Sequence, residues 1–537
     1  MGKNNIINKC FTILAYAYIV LPIIIFLIGW CSWYISIPGT IILSLCFFRL
    51  IKNNTLPTSD LEWSRLVFFK SIFIIGIITL WVYFSGVGAF VWQNGDHYCR
   101  NAIFEILIDY DWPVVSKITI GNEIQTRGLI YYIGFWLPAA LFGKLFGTTA
   151  GYCFTAVWAV LGISLFYYLI CLLRKKIQIW PLIIFIFMSG LDILWYYLTG
   201  NVSNVLAETL HIEGWSTFYQ FSSFTSQLFW VFNQAIPAWL IFMLIFLQKN
   251  NRYTIFILSF TLLQSTFPFI GMLPFLLYFV LSRKYEGIIL RDKKWWYFWC
   301  RDTLSFENIV GGGIVGIISF IYLIGNTASQ NIEAVAKSTT ALLTNIFTPA
   351  MPLTISATPI NLSPPLFSSL TTTTVPTHPD TLQSSTRWMI FMWIVFIIIE
   401  VGIYWISLYK YQKKNPLFYM LLIWLCICPW IRVGIGIDFC MRASIPALVL
   451  LYLLIIQTLE ASYVKKDYLI VIILSILLVI GSITPLNEIR RTINQTSQQL
   501  ANGSTFFALR QSDESILCGY NFSGEINNSI FFQYFSK

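Results

Sequence analysis

The stretch that decides the fold is VFFKSIFIIGIITLWVYFSGVGAFVW, residues 67–92, followed at once by QNGDHYCRN, residues 93–101. The first piece is apolar for longer than the roughly 17–25 residues a helix needs to cross a bilayer. The second sets Asp96, His97 and Arg100 within five residues at the point where that helix runs out. Apolar runs of this kind recur along the chain, and the composition agrees: 57% hydrophobic, 18% aromatic and 11% charged residues with a mean hydropathy of +0.71. Soluble domains carry about 25% charged residues. The chain therefore reads as an all-α polytopic membrane protein.

Working outward, spans fall near 11–30, 36–50 and 67–92, then 229–247, a hairpin over 253–282 turning at Phe267-Pro268, and 308–325, 387–409, 416–433, 443–460 and 468–484. The first run lacks a small-residue cleavage site and reads as an anchor. Between 128 and 228 lie three apolar runs where two flanking outside loops demand an even number of crossings. One run must be short or re-entrant, and with Arg174-Lys175-Lys176 inside, 128–173 contributes a single crossing. The count comes to about 13. The net charge of +10 resides in short clusters between apolar runs, at Lys249 and Arg252, at Arg283 through Arg301, at Lys410 to Lys414 and at Lys465-Lys466. That is the positive-inside pattern, and it leaves no basic face for nucleic acid.

The transmembrane domain then occupies 1–484, with outside loops at 93–127, 201–228 and 326–386 and an outside tail at 485–537 too short for an independent domain. The loop 326–386 is rich in Pro, Ser and Thr with interspersed Leu, Ile and Phe, which suggests a lid over the membrane domain. The eleven cysteines show no metal-ligand spacing and read mainly as small core residues. Cys99 and Cys518 both fall outside, where a disulfide could join them.

After Asp96, the run AIFEILI puts Ile103, Phe104, Leu107 and Ile108 on one face of a short interfacial helix. Asp96 and Arg100, spaced i, i+4, can pair at its start. The structural reading is a helix start with a surface ion pair; the functional one is a carboxylate beside cations, tuned by partial burial toward general-base work. The second loop offers His211, Glu213, Trp215, Gln220 and Gln234, either an interfacial aromatic belt or a sugar site of aromatic faces and polar side chains. The three histidines, His97, His211 and His378, each stand near a carboxylate in an outside loop, but without local zinc-ligand spacing. Asp438 and Arg442, again i, i+4, open a span at its outer end, where Arg442 can hold a phosphate or simply close an ion pair. Asp192 is the clearly intramembrane acid, costly unless paired.

Residues 95–147, with Gly95-Asp96-His97, then a short helix, then Asp111-Trp112-Pro113, then an aromatic-rich segment from Tyr131 ending in Lys144-Leu145-Phe146-Gly147, resemble the first outside loop and following helix of the GT-C superfamily of integral-membrane glycosyltransferases. The family often has two adjacent acids where this chain has Asp96-His97, and two extra spans precede the motif here. The resemblance implies transfer of a sugar from a polyprenyl-phosphate carrier to an acceptor on the outer side of the membrane, with Asp96 and His97 at the reaction centre and Arg100, His211, Glu213, Trp215, Gln220, Gln234 and Arg442 binding substrate. It leaves a divalent metal open and points to a bacterial inner membrane. The competing classes are a transporter or flippase of a lipid-linked saccharide, a surface-polysaccharide polymerase and a membrane subunit without chemistry. A transporter calls for matching halves and charges near mid-membrane, and no internal repeat is visible.

Overall fold

The computed structural model describes the chain except residues 1–2, 54–55, 57–60, 121–122, 207–210, 285–287, 328–378, 434–436, 504–507 and 520. Among the described residues nine helices are long and apolar enough to cross a membrane: Ile6–Trp30, Trp33–Asn53, Arg65–Phe84, Thr148–Arg174, Phe224–Leu247, Glu307–Ile324, Arg387–Gln412, Ile445–Val464 and Tyr468–Ala501. Leu137–Phe146, Thr266–Ser282 and Pro416–Trp430 are shorter apolar helices. The helices used below are α1 (Lys3–Trp30), α2 (Trp33–Asn53), α3 (Arg65–Phe84), α4 (Asp96–Asp109), α5 (Leu137–Phe146), α6 (Thr148–Arg174), α7 (Trp180–Phe187), α8 (Phe224–Leu247), α9 (Asp438–Ala443), α10 (Ile445–Val464) and α11 (Ile483–Ala501).

The long helix α1 sets the scale. From Asn8 to Trp30 it rises about 33 Å at 1.5 Å per residue, close to the roughly 30 Å hydrocarbon core. At the Asn8 end its amide donates to the Leu61 carbonyl and its carbonyl accepts from the Tyr168 hydroxyl. At the Trp30 end, the backbone N–H of Lys537 donates to Trp30 and that of Ser32 to Phe535. The C-terminus and the α1–α2 turn thus share one end of the bundle. At the other end lie the pairs Arg174 with Glu460, Arg252 with Glu307 and Lys410 with Asp467, the basic clusters of the sequence.

The run 128–173 contains one helix of spanning length: α5, ten residues, reaches only about 15 Å, and α6 about 40 Å. α6 is central. Gly162 lies where a Cβ would come within 2.4 Å of the Tyr18 hydroxyl of α1 and 2.6 Å of Ile236 of α8, so three helices meet across a bare backbone.

Several expectations are corrected. The third apolar run stops being helical at Phe84, and Ser85–Asn94 turns back through positive-φ Gly86 and Gly88 before α4 starts. The 253–282 hairpin turns at 260–265, and Phe267-Pro268 begins the second helix. The interfacial helix exists, but α4 is buried on nearly every side, packed against α5 and the tail helix Asp513–Cys518, instead of lying with one face in lipid. The all-α expectation misses a small antiparallel sheet: β1 (Val115–Ile120) pairs with β2 (Glu123–Leu129), which pairs with β3 (Ser523–Glu525) of the tail. The tail is thereby joined to α4 and the loop after it; Asn101 also donates to Leu509 and Arg510 pairs with Glu105. Cys99 and Cys518 are both free thiols. Most of the 326–386 loop, His378 included, lies outside the described residues.

α8 is the element that positions the site. It breaks at Val231 (φ −138, ψ 34), and the Trp239 indole N–H donates to the Gln227 side chain at 2.8 Å. Twelve residues of straight helix would separate those positions by about 18 Å. The first half, 224–230, therefore folds back beside the second, and Phe224, Phe185, Trp239 and Tyr452 close the joint as an aromatic cluster.

Gly162→Val should destabilise the protein by about 1–3 kcal/mol through overpacking at the α1–α6–α8 contact. The measurement is thermal melting in detergent, and an unchanged melting temperature would contradict the packing described.

Candidate functional site

Breaking a helix frees a backbone carbonyl, and a buried carbonyl must find a donor. At the α8 break the Phe229 carbonyl accepts from Asn94 Nδ2 at 2.8 Å and from His97 Nε2 at 3.0 Å. This explains much of the polar stretch 93–101. Gln93 and Asn101 bond each other, Asn94 and His97 close the α8 break, and Arg100 pairs with Asp96 at 2.9 Å. His97, 1% exposed and stacked on Phe232, is held neutral: burial, then the nearby Arg100 charge, push its pKa down to about 3. It positions the loop and brings no positive charge.

Asp96 differs. Its side chain is 45% exposed, while Arg100 is buried. Partial burial pushes the Asp96 carboxyl up, but the Arg100 charge and hydrogen bond, and then Arg442, outweigh it and leave the group below the usual carboxylate range. The expected tuning toward a stronger base is therefore reversed: Asp96 is an ionised, weak base. Arg442 comes from α9, 346 positions along the chain from Asp96, with Asp438 at 3.3 Å. Burial pulls the Arg442 guanidinium down, and Tyr132, Asp438, Tyr131 and Asp96 more than restore it. The Tyr131 and Tyr132 rings, tilted by 35° with 3.9 Å between centroids, complete this group. Arg100 Nε and Nη1 and Arg442 Nε are buried with no acceptor among the described residues. Buried donors left unmet cost about 1–3 kcal/mol each, so these three sites are poised for an oxyanion.

The second group is reached through Ser226 and Trp230 of the same folded-back segment. His211 Nδ1 donates to Glu488 of α11 at 2.9 Å, and Glu488 also accepts from Trp230 and Arg491. Glu213, fully buried, accepts from the Ser223 backbone N–H, the Ser226 hydroxyl and Gln220. Burial lowers His211, but the hydrogen bond and charge of Glu488 overcome it and leave the imidazole raised. Burial drives Glu213 up to about 7 despite His211. Gln220 ties the groups together: its side chain meets His211 at 3.0 Å, and its carbonyl accepts from the Cys440 thiol, two residues from Arg442.

Trp215 is buried between Trp195 and Phe396, and its indole N–H is shared by Asp192 at 3.2 Å and Glu400 at 2.9 Å. It is no exposed platform for a sugar. Gln234 is fully buried just past the break, and neither atom of its amide has a partner among the described residues. Asp192 is satisfied by Ser189, Thr484 and Trp215, and it is not the single intramembrane acid: Glu400, inside Arg387–Gln412, stands beside it. The lone acid in WIVFIIIEVGIYW was the signal for Glu400, and the charged, amphipathic sequence of α11 after the last apolar run was the signal for Glu488 and Arg491. The described residues hold no group of three His, Cys, Asp or Glu placed for a metal ion.

The His97 environment fixes a pH dependence. In the unfolded chain histidine titrates near 6.5, whereas folded His97 stays neutral to about 3. The unfolded state thus binds the extra proton below about pH 6.5, and stability falls with acidity by up to about 1.4 kcal/mol per pH unit from this group. His211, with its raised pKa, acts oppositely: its contribution is present below about 6.5 and lost as pH rises through the folded value. His97→Gln should therefore flatten the decline in melting temperature between pH 6.5 and 4.5; an identical slope would refute the assignment.

No protein-family model matches the chain, and neither the curated proteins nor the solved structures compared with it include a match.

Proposed function

We propose that the protein is a membrane glycosyltransferase of GT-C-like architecture that moves a sugar from a polyprenyl-phosphate carrier to an acceptor hydroxyl at the outer face of the membrane. The observation supporting this reading most strongly is the half-exposed Asp96 carboxylate paired with buried Arg100 and near enough to buried Arg442 to feel its charge, with three nitrogens of these arginines, Arg100 Nε and Nη1 and Arg442 Nε, lacking an acceptor among the described residues. A lipid phosphate would satisfy those donors, and charge-assisted bonds to it strengthen as the leaving oxygen gains charge. In the reaction the anomeric carbon breaks its bond to the phosphate oxygen, the electron pair leaves with the phosphate toward Arg100 and Arg442, and the acceptor oxygen bonds that carbon. Its proton passes to Asp96. Because Asp96 is a weak base, that transfer comes late, once attack has made the hydroxyl acidic.

The site lies at the end of the bundle opposite the basic clusters, in keeping with the outward face and the bacterial inner-membrane setting. The nine long helices, with shorter passages over 180–187, 254–265, 266–282 and 416–430, are compatible with about 13 crossings. Of the second group His211, with 26% of its side chain exposed, is the one open to an acceptor or sugar hydroxyl, and buried Glu213 and Gln220 hold it from within; the buried Gln234 amide has no partner among the described residues.

A second reading, a proton-coupled transporter of a lipid-linked saccharide, is favoured by one feature. The Asp192 and Glu400 carboxylates share the Trp215 indole N–H, at a break after α7 and within a π-helical turn at Ile398–Gly402. Broken helices with buried acids are what coupled transport uses.

Asp96→Asn should lower transfer of sugar from a polyprenyl-phosphate donor by about 10²–10⁴-fold with the protein still folded, and Arg442→Gln should raise the KM for the carrier. Full activity in Asp96→Asn would remove the assigned base. Saccharide-lipid movement in proteoliposomes without a new glycosidic bond, lost in Glu400→Gln, would establish the transporter instead.

A further inference from the structure

A cleft of about 210 Å³ opens at the basic end of the bundle, far from Asp96, between the last turn of α6 and one face of α10. It is lined by Leu173, Arg174, Leu453, Ile456, Gln457 and Glu460. The four α10 residues recur at three- and four-residue spacing, so they form one stripe, with Leu453 about 10 Å deeper in the membrane than Glu460. The stripe is apolar at depth and polar at the end, which is the profile of an amphiphile.

Its polar part is built. The Arg174 side chain, 4% exposed, is fixed by stacking on Trp180 and by bonds from Nε and Nη2 to Glu460 and from Nη2 to Gln178. Its remaining nitrogen, Nη1, is buried and has no acceptor among the described residues. The Glu460 carboxylate is 37% exposed at the mouth. The lining thus presents one rigid guanidinium with a donor to spare and, a few ångströms further out, one accessible carboxylate. A planar guanidinium held in this way selects phosphate oxygens, and the carboxylate beside it selects an ammonium while opposing a second negative charge.

We propose that this cleft binds the headgroup of a zwitterionic aminophospholipid from the leaflet at the basic end. The phosphate sits on Arg174 Nη1 and the Gln457 amide, the ammonium lies against Glu460, and the first acyl methylenes cover Leu173, Ile456 and Leu453. The exposed lysines at 176, 465 and 466 lie outside the cleft, where solvent and salt screen them. This site is independent of the reaction proposed at the other end.

The test is native mass spectrometry of the full-length protein in nonionic detergent, supplied in turn with phosphatidylethanolamine, phosphatidylglycerol or soluble O-phosphoethanolamine at equal concentration. The expected result is phosphatidylethanolamine retained about 10–100-fold more than phosphatidylglycerol, the span of one charge-assisted hydrogen bond. Arg174→Lys, which keeps a charge for Glu460 but loses the spare donor, should reduce retention. Gln457→Trp, which fills the half-exposed mouth without touching the ion pair, should abolish it even if the first variant folds poorly. Equal retention of the two lipids, or undiminished retention by Gln457→Trp, would overturn the proposal. Displacement by soluble O-phosphoethanolamine as effectively as by the lipid would overturn the membrane source.

Discussion

The carbonyl of Phe229 is the constraint around which the candidate site is arranged. It is free because α8 breaks at Val231, and a free carbonyl inside a membrane protein has no water to turn to. Asn94 and His97 meet it, and in doing so they fix where the loop after α3 ends and where α4 begins. Asp96 lies between those two residues in the chain and pairs with Arg100, so its carboxylate is aimed by bonds made by its neighbours. Segment 224–230, folded back by the same break, touches both the loop that carries Asp96 and the His211 group. A single interruption in one helix thereby decides the placement of residues contributed by four distant parts of the chain.

The buried acids follow from the same economy. Glu213, Asp192 and Glu400 lie within reach of one another, and each is surrounded by neutral donors, Ser223, Ser226, Ser189, Thr484 and the Trp215 indole, with few cations near. Burial of a carboxylate without a counter-charge favours the protonated form, which is why Glu213 is driven upward. Asp96, with Arg100 in contact, goes the other way. Two carboxyl groups at the same end of the bundle are thus given opposite protonation preferences by their surroundings, an arrangement that suits separate roles in proton handling.

The loop that follows α4 and the tail form one structure. β3 of the tail extends the sheet of the first loop, and Gly128 allows this, since a Cβ there would meet the Phe532 ring at 2.4 Å. The α4 helix, with an apolar face that could have lain on lipid, is covered by α5 and by the tail. The sequence pattern of a short amphipathic helix does not distinguish lipid from protein as the apolar partner, and the tail, read alone, was too short to look like a covering element.

The amino-acid sequence by itself determined the membrane class, most of the long helices, the gathering of basic residues at one end, the single spanning helix in 128–173, and the pairs Asp96–Arg100 and Asp438–Arg442. These depend on hydropathy over windows of about 20 residues and on i, i+4 spacing, both local properties. Only the tertiary structure decided that the Arg442 charge acts on Asp96, that His97 is a neutral brace for a broken helix, that Glu488 and Arg491 hold His211, and that Glu400 shares Trp215 with Asp192. Each of those rests on the approach of segments more than a hundred residues apart, and on whether a side chain is wrapped in protein or left in water. Charge state and partner are set by that surrounding, and no local pattern of residues encodes it.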